Sequence, residues 1–117
     1  MHELSIVCSI VDTATESAVR ANAMRVLKVR LRVGALAGVV KDSLLFCYDF
    51  STRDTILEGS SLEIEVLPVI IHCAECKENR ELPDIQRFFC PVCGTPSGDV
   101  RQGQELEIGS LEVEFPN

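Results

Sequence analysis

Residues 70–103 read IIHCAECKENRELPDIQRFFCPVCGTPSGDVRQG, and this stretch decides how the rest of the chain divides. Cys73-Ala-Glu-Cys76 and Cys90-Pro-Val-Cys93 are two CxxC pairs with thirteen residues between them. A CxxC turn puts two thiolates on one side of a tight knuckle, and two knuckles close a tetrahedron at Zn–S distances of about 2.3 Å. Gly94, directly after Cys93, lets the backbone turn back around the ion. Iron in a rubredoxin-like site uses similar knuckles, so the spacing predicts a tetrathiolate metal site with zinc as the first choice. Four protein ligands leave no open position, and closed sites are structural rather than catalytic. The stretch holds too few apolar residues for a core of its own, and segments under about 40 residues usually need a metal or disulfides to fold. Residues 70–103 are therefore expected to form a zinc-binding domain inserted into a larger one.

Outward from this insertion, hydrophobic period marks the host. Before it, residues 61–69 alternate, with Leu62, Ile64 and Val66 on one side and Glu63 and Glu65 on the other. After it, residues 105–115 set Leu111, Val113 and Phe115 against Glu112 and Glu114, with Gly109 breaking the register as a bulge would. Residues 25–33 alternate Leu27, Val29, Leu31 and Val33 with Lys28, Arg30 and Arg32, a half-buried strand with a solvated basic face. Gly34 and Gly38 punctuate a turn after it.

Two helices complete the pattern. Leu4, Val7, Cys8, Val11, Ala14 and Ala18 recur at helical spacing, with Glu3, Asp12, Glu16 and Arg20 off the stripe and Asn22 as terminator. A second helix is expected from Asp42, a good N-cap, to about Thr52, burying Leu44, Leu45, Tyr48 and Cys47. The order helix, strand, helix, strand, insertion, strand predicts an α+β fold. It places two helices on a small three-stranded sheet, mixed or antiparallel, built from 1–69 with 104–117 and carrying a zinc-ribbon-like insertion at 70–103.

Composition narrows the function. Of 117 residues 46% are hydrophobic and 25% charged, which is ordinary globular composition. Eleven basic against eighteen acidic residues give a net charge of −7, a surface that repels phosphate backbones and argues against nucleic acid as partner. The opening MHELSIVCSIVD lacks a basic n-region and carries Glu3 and Asp12, so it does not read as a signal peptide. No apolar run is long enough for a membrane span. Reduced thiols in a chain without an export signal predict a cytoplasmic protein.

Other candidate groups are few. His72, beside Cys73, reads either as a strand-end residue flanking the knuckle or as a donor or alternative ligand at the metal. Cys8 and Cys47 read as small packed hydrophobes. No nucleophile–base pair, HExxH or phosphate loop is present, so an enzyme is not expected. The start Met1-His2-Glu3 offers a terminal amine, amide nitrogens and an imidazole, an all-nitrogen planar set suited to Ni(II) or Cu(II). Its alternative is an exposed terminal histidine, which would leave a zinc-ribbon protein-interaction module without nickel.

MHELSIVCSIVD, the central VGALAGVVKDSLLFCYDF, EGSSLEIE, the CxxC…CPVCG ribbon and the closing GQELEIGSLEVEF together resemble the hydrogenase nickel-incorporation family, the HypA/HybF metallochaperones. The resemblance spans essentially the whole chain in the right order. It implies that Met1 (amine), His2 (imidazole and amide) and Glu3 (amide) hold Ni(II) as transferred cargo, while Cys73, Cys76, Cys90 and Cys93 hold structural Zn(II). It implies delivery of nickel during maturation of [NiFe] hydrogenase. The partners it implies are a nickel-handling accessory GTPase and the hydrogenase large subunit, with urease accessory proteins where the family also serves urease; it leaves a homodimer open. Some members carry extra histidines beside the zinc cysteines. Only His72 is close here, so a zinc site that changes ligands is not expected.

Overall fold

The computed structural model describes residues 3–117; Met1 and His2 lie outside the described residues. The elements run α1 (Glu3–Arg20), β1 (Arg25–Gly34), α2 (Lys41–Ser51), β2 (Ser61–Leu67), β3 (Ile70–Cys73), β4 (Glu78–Glu81), β5 (Val100–Gln102) and β6 (Leu106–Glu114). The α+β class read from the sequence is what the chain adopts. Two compact units result. One takes the chain through Leu31, Val39–Glu65 and Glu107–Asn117, and the other takes Arg32–Gly38 and Val66–Leu106. Among the described residues no helix is long and apolar enough to cross a membrane.

In the first unit α1 buries Ile6, Val7, Ile10, Val11, Ala14 and Ala18. The expected stripe is corrected at two positions: Leu4 is half exposed and Cys8 is exposed. Both sets extend the Val7–Val11–Ala14–Ala18 line, on opposite sides of it. The side that wins carries two isoleucines, which remove more apolar surface from water than a leucine and a cysteine. The helix ends in a Schellman turn, with Asn22 at φ 63°, Ala23 N donating to Ala18 O at 2.9 Å and Asn22 N to Val19 O at 3.0 Å.

Helix α2 starts one residue before the expected N-cap. Val40 is the cap residue and gives no side-chain bond, and Asp42 stands in the first turn, where its charge still complements the helix dipole. Leu44 and Tyr48 are buried, but Leu45 and Cys47 only partly, which corrects the expectation for Cys47. Thr52 closes the helix, its N and Oγ1 both donating to Tyr48 O at 3.1 and 2.9 Å. The two helices pack together.

The larger sheet has strand order β2-β1-β6. Val26 N donates to Ile56 O and Ala35 N to Leu67 O; both sequences advance in the same sense, so β1 and β2 run parallel with α2 as their crossover. Met24 N donates to Glu114 O and Gly34 N to Glu105 O, so β6 is antiparallel and the sheet is mixed. Val29, Leu31 and Val33 are buried as alternation requires, but Leu27 is 37% exposed and Val26 fully buried. Val66 (58%) and Phe115 (57%) are also exposed, contrary to expectation. In β2 the inward role passes to Leu67 before Pro68 ends the ladder, since proline cannot donate to it. In β6 the alternation slips at Gly109-Ser110.

The second unit has its own sheet, order β4-β3-β5. It also has the core that the insertion lacks by itself. Val69, Ile71 and Leu82 are packed by Phe88 and Val100, and by Ala35 and Leu36 from the segment after β1. That segment is threaded tightly: a Cβ on Gly34 would stand 2.1 Å from the backbone carbonyl of Gly103, and Leu36 N donates to Gly103 O at 2.7 Å.

Candidate metal centre

The centre is built from two hairpins with the same turn. In the first, β3 pairs with β4, Cys73 opposite Glu78. Cys76 N donates to Cys73 Sγ at 3.4 Å, Lys77 N donates to Cys73 O at 2.7 Å, and Lys77 stands at φ 58°. In the second, Cys90 N donates to Thr95 O at 2.8 Å, Gly94 N to Cys90 O at 2.8 Å, and Gly94 stands at φ 80°. Lys77 and Gly94 therefore occupy equivalent left-handed positions, one in each knuckle. The glycine was legible in the sequence and its lysine counterpart was not.

These knuckles bring four sulfurs together, every pair within 4.8 Å. Cys73 Sγ is 3.5 Å from Cys93 Sγ, and Cys76 Sγ is 3.9 Å from Cys90 Sγ. A tetrahedron with Zn–S bonds of about 2.3 Å has S···S edges of about 3.8 Å, so the cluster has the size of a Zn(Cys)4 site. Cys73 and Cys90 are fully buried, Cys76 is half-buried and Cys93 exposed. Among the described residues no other group of three or more metal-ligating side chains comes together.

The electrostatics fit a cation. Backbone N–H groups of Cys93 and Val92, aimed at Cys90, hold its thiol down to about 6 in spite of burial. Thr95, whose Oγ1 lies 3.2 Å from Cys93 Sγ, lowers that thiol in the same way. The Arg80 guanidinium pulls the Cys76 thiol down. Hydrogen bonding of the protonated thiol to the Cys93, Cys73 and Cys90 sulfurs, with burial, outweighs it and pushes that thiol up to about 11. Four thiols in one site resist full ionisation through mutual repulsion, and a divalent ion removes that obstacle.

His72 lies outside the cluster. Its Nδ1 is 2.9 Å from Asn79 Oδ1, its N donates to Asp99 O, and Ser97 Oγ donates to its carbonyl. It is opposite Asn79 in the ladder, on the other face of the hairpin from Cys73 and Glu78, which is the position of a flanking strand residue. Sequence reasoning missed Arg80 and Thr95; Arg80 is four residues after Cys76 and Thr95 two after Cys93, but only the folded hairpins bring them to the cysteine cluster.

Of the proposed nickel ligands, Met1 and His2 lie outside the described residues. Glu3 is the first residue of α1 and lines a surface groove with Leu4, Asp42, Ser43, Phe46 and Cys47.

The profile of the family described as "Hydrogenase/urease nickel incorporation, metallochaperone, hypA" matches residues 1–113. A "Hydrogenase maturation factor HypA" of Roseiflexus sp. is 46% identical over 114 residues, covering 97% of this chain and 93% of that one. One from Chloroflexus aurantiacus is 43% identical over 113 residues, covering 97% and 99%. In three dimensions the chain is similar to the solution structure of the Ni metallochaperone HypA from Helicobacter pylori. That match has a TM-score of 0.71 at 21% identity and covers 99% of this chain and 100% of that one, a likeness of fold.

Proposed function

The chain belongs to the HypA family of hydrogenase and urease nickel-incorporation metallochaperones, maturation factors rather than enzymes, and from that premise we propose that it binds Ni(II) at its N-terminus and passes it on during maturation of a [NiFe] hydrogenase. Met1 supplies the amine, His2 the imidazole and an amide, and Glu3 an amide. Cys73, Cys76, Cys90 and Cys93 hold Zn(II), which folds the second unit and is not transferred. The observation that carries this reading is the family match, which runs from residue 1 to residue 113 and so takes in the MHE start and both CxxC pairs together.

The two donor sets support a division of labour. Four converging sulfurs are soft ligands for zinc, whereas an amine, amides and an imidazole favour Ni(II) in a plane. A chelate at a chain terminus can be handed over by stepwise ligand exchange, and a closed cage cannot. The partners expected are a nickel-handling accessory GTPase and the hydrogenase large subunit, with urease maturation as a second destination.

Metal analysis of nickel-loaded protein tests the proposal. Untagged chain should hold one zinc and one specific nickel. Chain extended by two residues before Met1, or carrying His2→Ala, should keep the zinc and lose the nickel. Equal nickel affinity in all three would remove the N-terminal site and leave a zinc-ribbon interaction module.

A further inference from the structure

The thiolate cluster has a cationic neighbour that its four ligands do not explain. Arg80 stands opposite Ile71 and two residues from Glu78, itself opposite Cys73. Directly opposed residues of an antiparallel pair share a face, as do residues two apart along a strand. Arg80 is therefore on the cysteine face of the first hairpin. The sulfurs of Cys76 and Cys90, one from each knuckle, are near enough to raise the pKa of Arg80. Its side chain is 25% exposed, and Nη1 is 3.0 Å from Glu78 Oε2. Its Nε is buried with no hydrogen-bond partner. A buried N–H without a partner is costly, and thiolates held by an ion on this face would be acceptors for it. In the second hairpin the equivalent strand position is Ser97, whose N donates to Phe88 O and whose hydroxyl donates to His72 O. The cation is present on one side only.

A divalent ion with four thiolates carries two net negative charges. The pair with Glu78 does not account for placing an arginine here, because the carboxylate is 63% exposed and solvent screens such a pair. We propose that Arg80 is a positioning residue that donates to the metal-bound sulfurs of Cys76 and Cys90, offsets part of their charge and slows loss of the ion. This rests on the zinc reading given above. Glu78 competes for the same guanidinium and weakens the effect, so the two side chains set the retention of the metal in opposite directions.

Zinc release from the full chain into excess EDTA tests this, with wild type, Arg80→Met, Arg80→Lys and Glu78→Gln compared at one pH. Arg80→Met should release zinc about tenfold faster or more, the scale of one lost charge-assisted hydrogen bond. Arg80→Lys should fall between the two, and Glu78→Gln should release more slowly than wild type. With Co(II) in place of zinc, the sulfur-to-cobalt charge-transfer band of Arg80→Met should move to longer wavelength, because an undonated thiolate gives up its electrons more easily. A purely structural residue would leave that band in place. Should Arg80→Met fail to assemble the cobalt site, Arg80→Lys and Glu78→Gln decide alone. Wild-type release with an unmoved band in Arg80→Met, or faster release in Glu78→Gln, overturns the proposal. Wild-type protein without stoichiometric zinc would instead overturn the zinc reading itself.

Discussion

Lys77 and Gly94 hold the same left-handed position in two equivalent knuckles, so a pair of reciprocal substitutions measures what that conformation costs. A Cβ added to Gly94 meets nothing within 4 Å, which removes steric collision from the account. What remains is the backbone: an L-residue in this region costs about 1–2 kcal/mol. About 0.4–1 kcal/mol returns because alanine has less freedom to lose than glycine on folding. Gly94→Ala should therefore cost about 1 kcal/mol. Folding of this unit is tied to the metal, so zinc affinity, measured by chelator competition, should fall about fivefold. Lys77→Gly runs the cycle the other way and should match or exceed wild-type affinity. Gly98→Ala is the control, since Gly98 has open space and an ordinary backbone, and should not weaken binding. Loss of affinity in Lys77→Gly, or none in Gly94→Ala, would refute the equivalence of the knuckles.

Cys76→Ser or Cys90→Ser should lose the zinc and unfold the second unit; NMR spectra should keep the α1–α2 resonances, because a core buried elsewhere does not depend on that ion. Leu57→Ala, at a fully buried position of the first unit, should cost about 2–5 kcal/mol in chemical unfolding with zinc content unchanged. Tyr48→Phe breaks the 2.6 Å bond to Ser60 Oγ and should cost about 1 kcal/mol in the same assay. Glu63 is held below the ordinary carboxylate range by hydrogen bonds from Lys28 and then Arg30. Its contribution is therefore present at neutral pH and lost as pH falls through the lowered value. Glu63→Gln should flatten the acid limb of a stability–pH curve slightly and leave the region above pH 6 unchanged in slope.

How far the sequence could be read depended on how local each determinant was. The CxxC knuckles and Gly94 act over four or five consecutive residues, and the thiolate cluster follows from them. The helices and long strands follow from period, which fixes that one face is buried but leaves its edges open. Hence the stripe of α1 turned toward Ile6 and Ile10 instead of Leu4 and Cys8, a choice made by what packs against the helix. The small strands β4 and β5 carry no period at all. Glu78–Glu81 is four polar residues, a strand only because its knuckle folds it back onto β3.

Arg80 shows where local reading ends. In sequence it is one basic residue in the charged run Lys77-Glu78-Asn79-Arg80-Glu81, which reads as solvated surface. The turn at Lys77 sets the register, the register puts Arg80 on the cysteine face, and only then does its charge matter. The same turn therefore fixes both the spacing of two ligands and the placement of the cation beside them. An insertion of one residue between Cys76 and Arg80 should leave all four cysteines in the chain yet turn the arginine to the opposite face. That variant should release zinc faster than one with the same insertion placed between Pro83 and Arg87, beyond the hairpin, where the register of β3 and β4 is untouched. Equal release rates in the two insertions would mean that the side chain's position beside the sulfurs has no consequence for the metal.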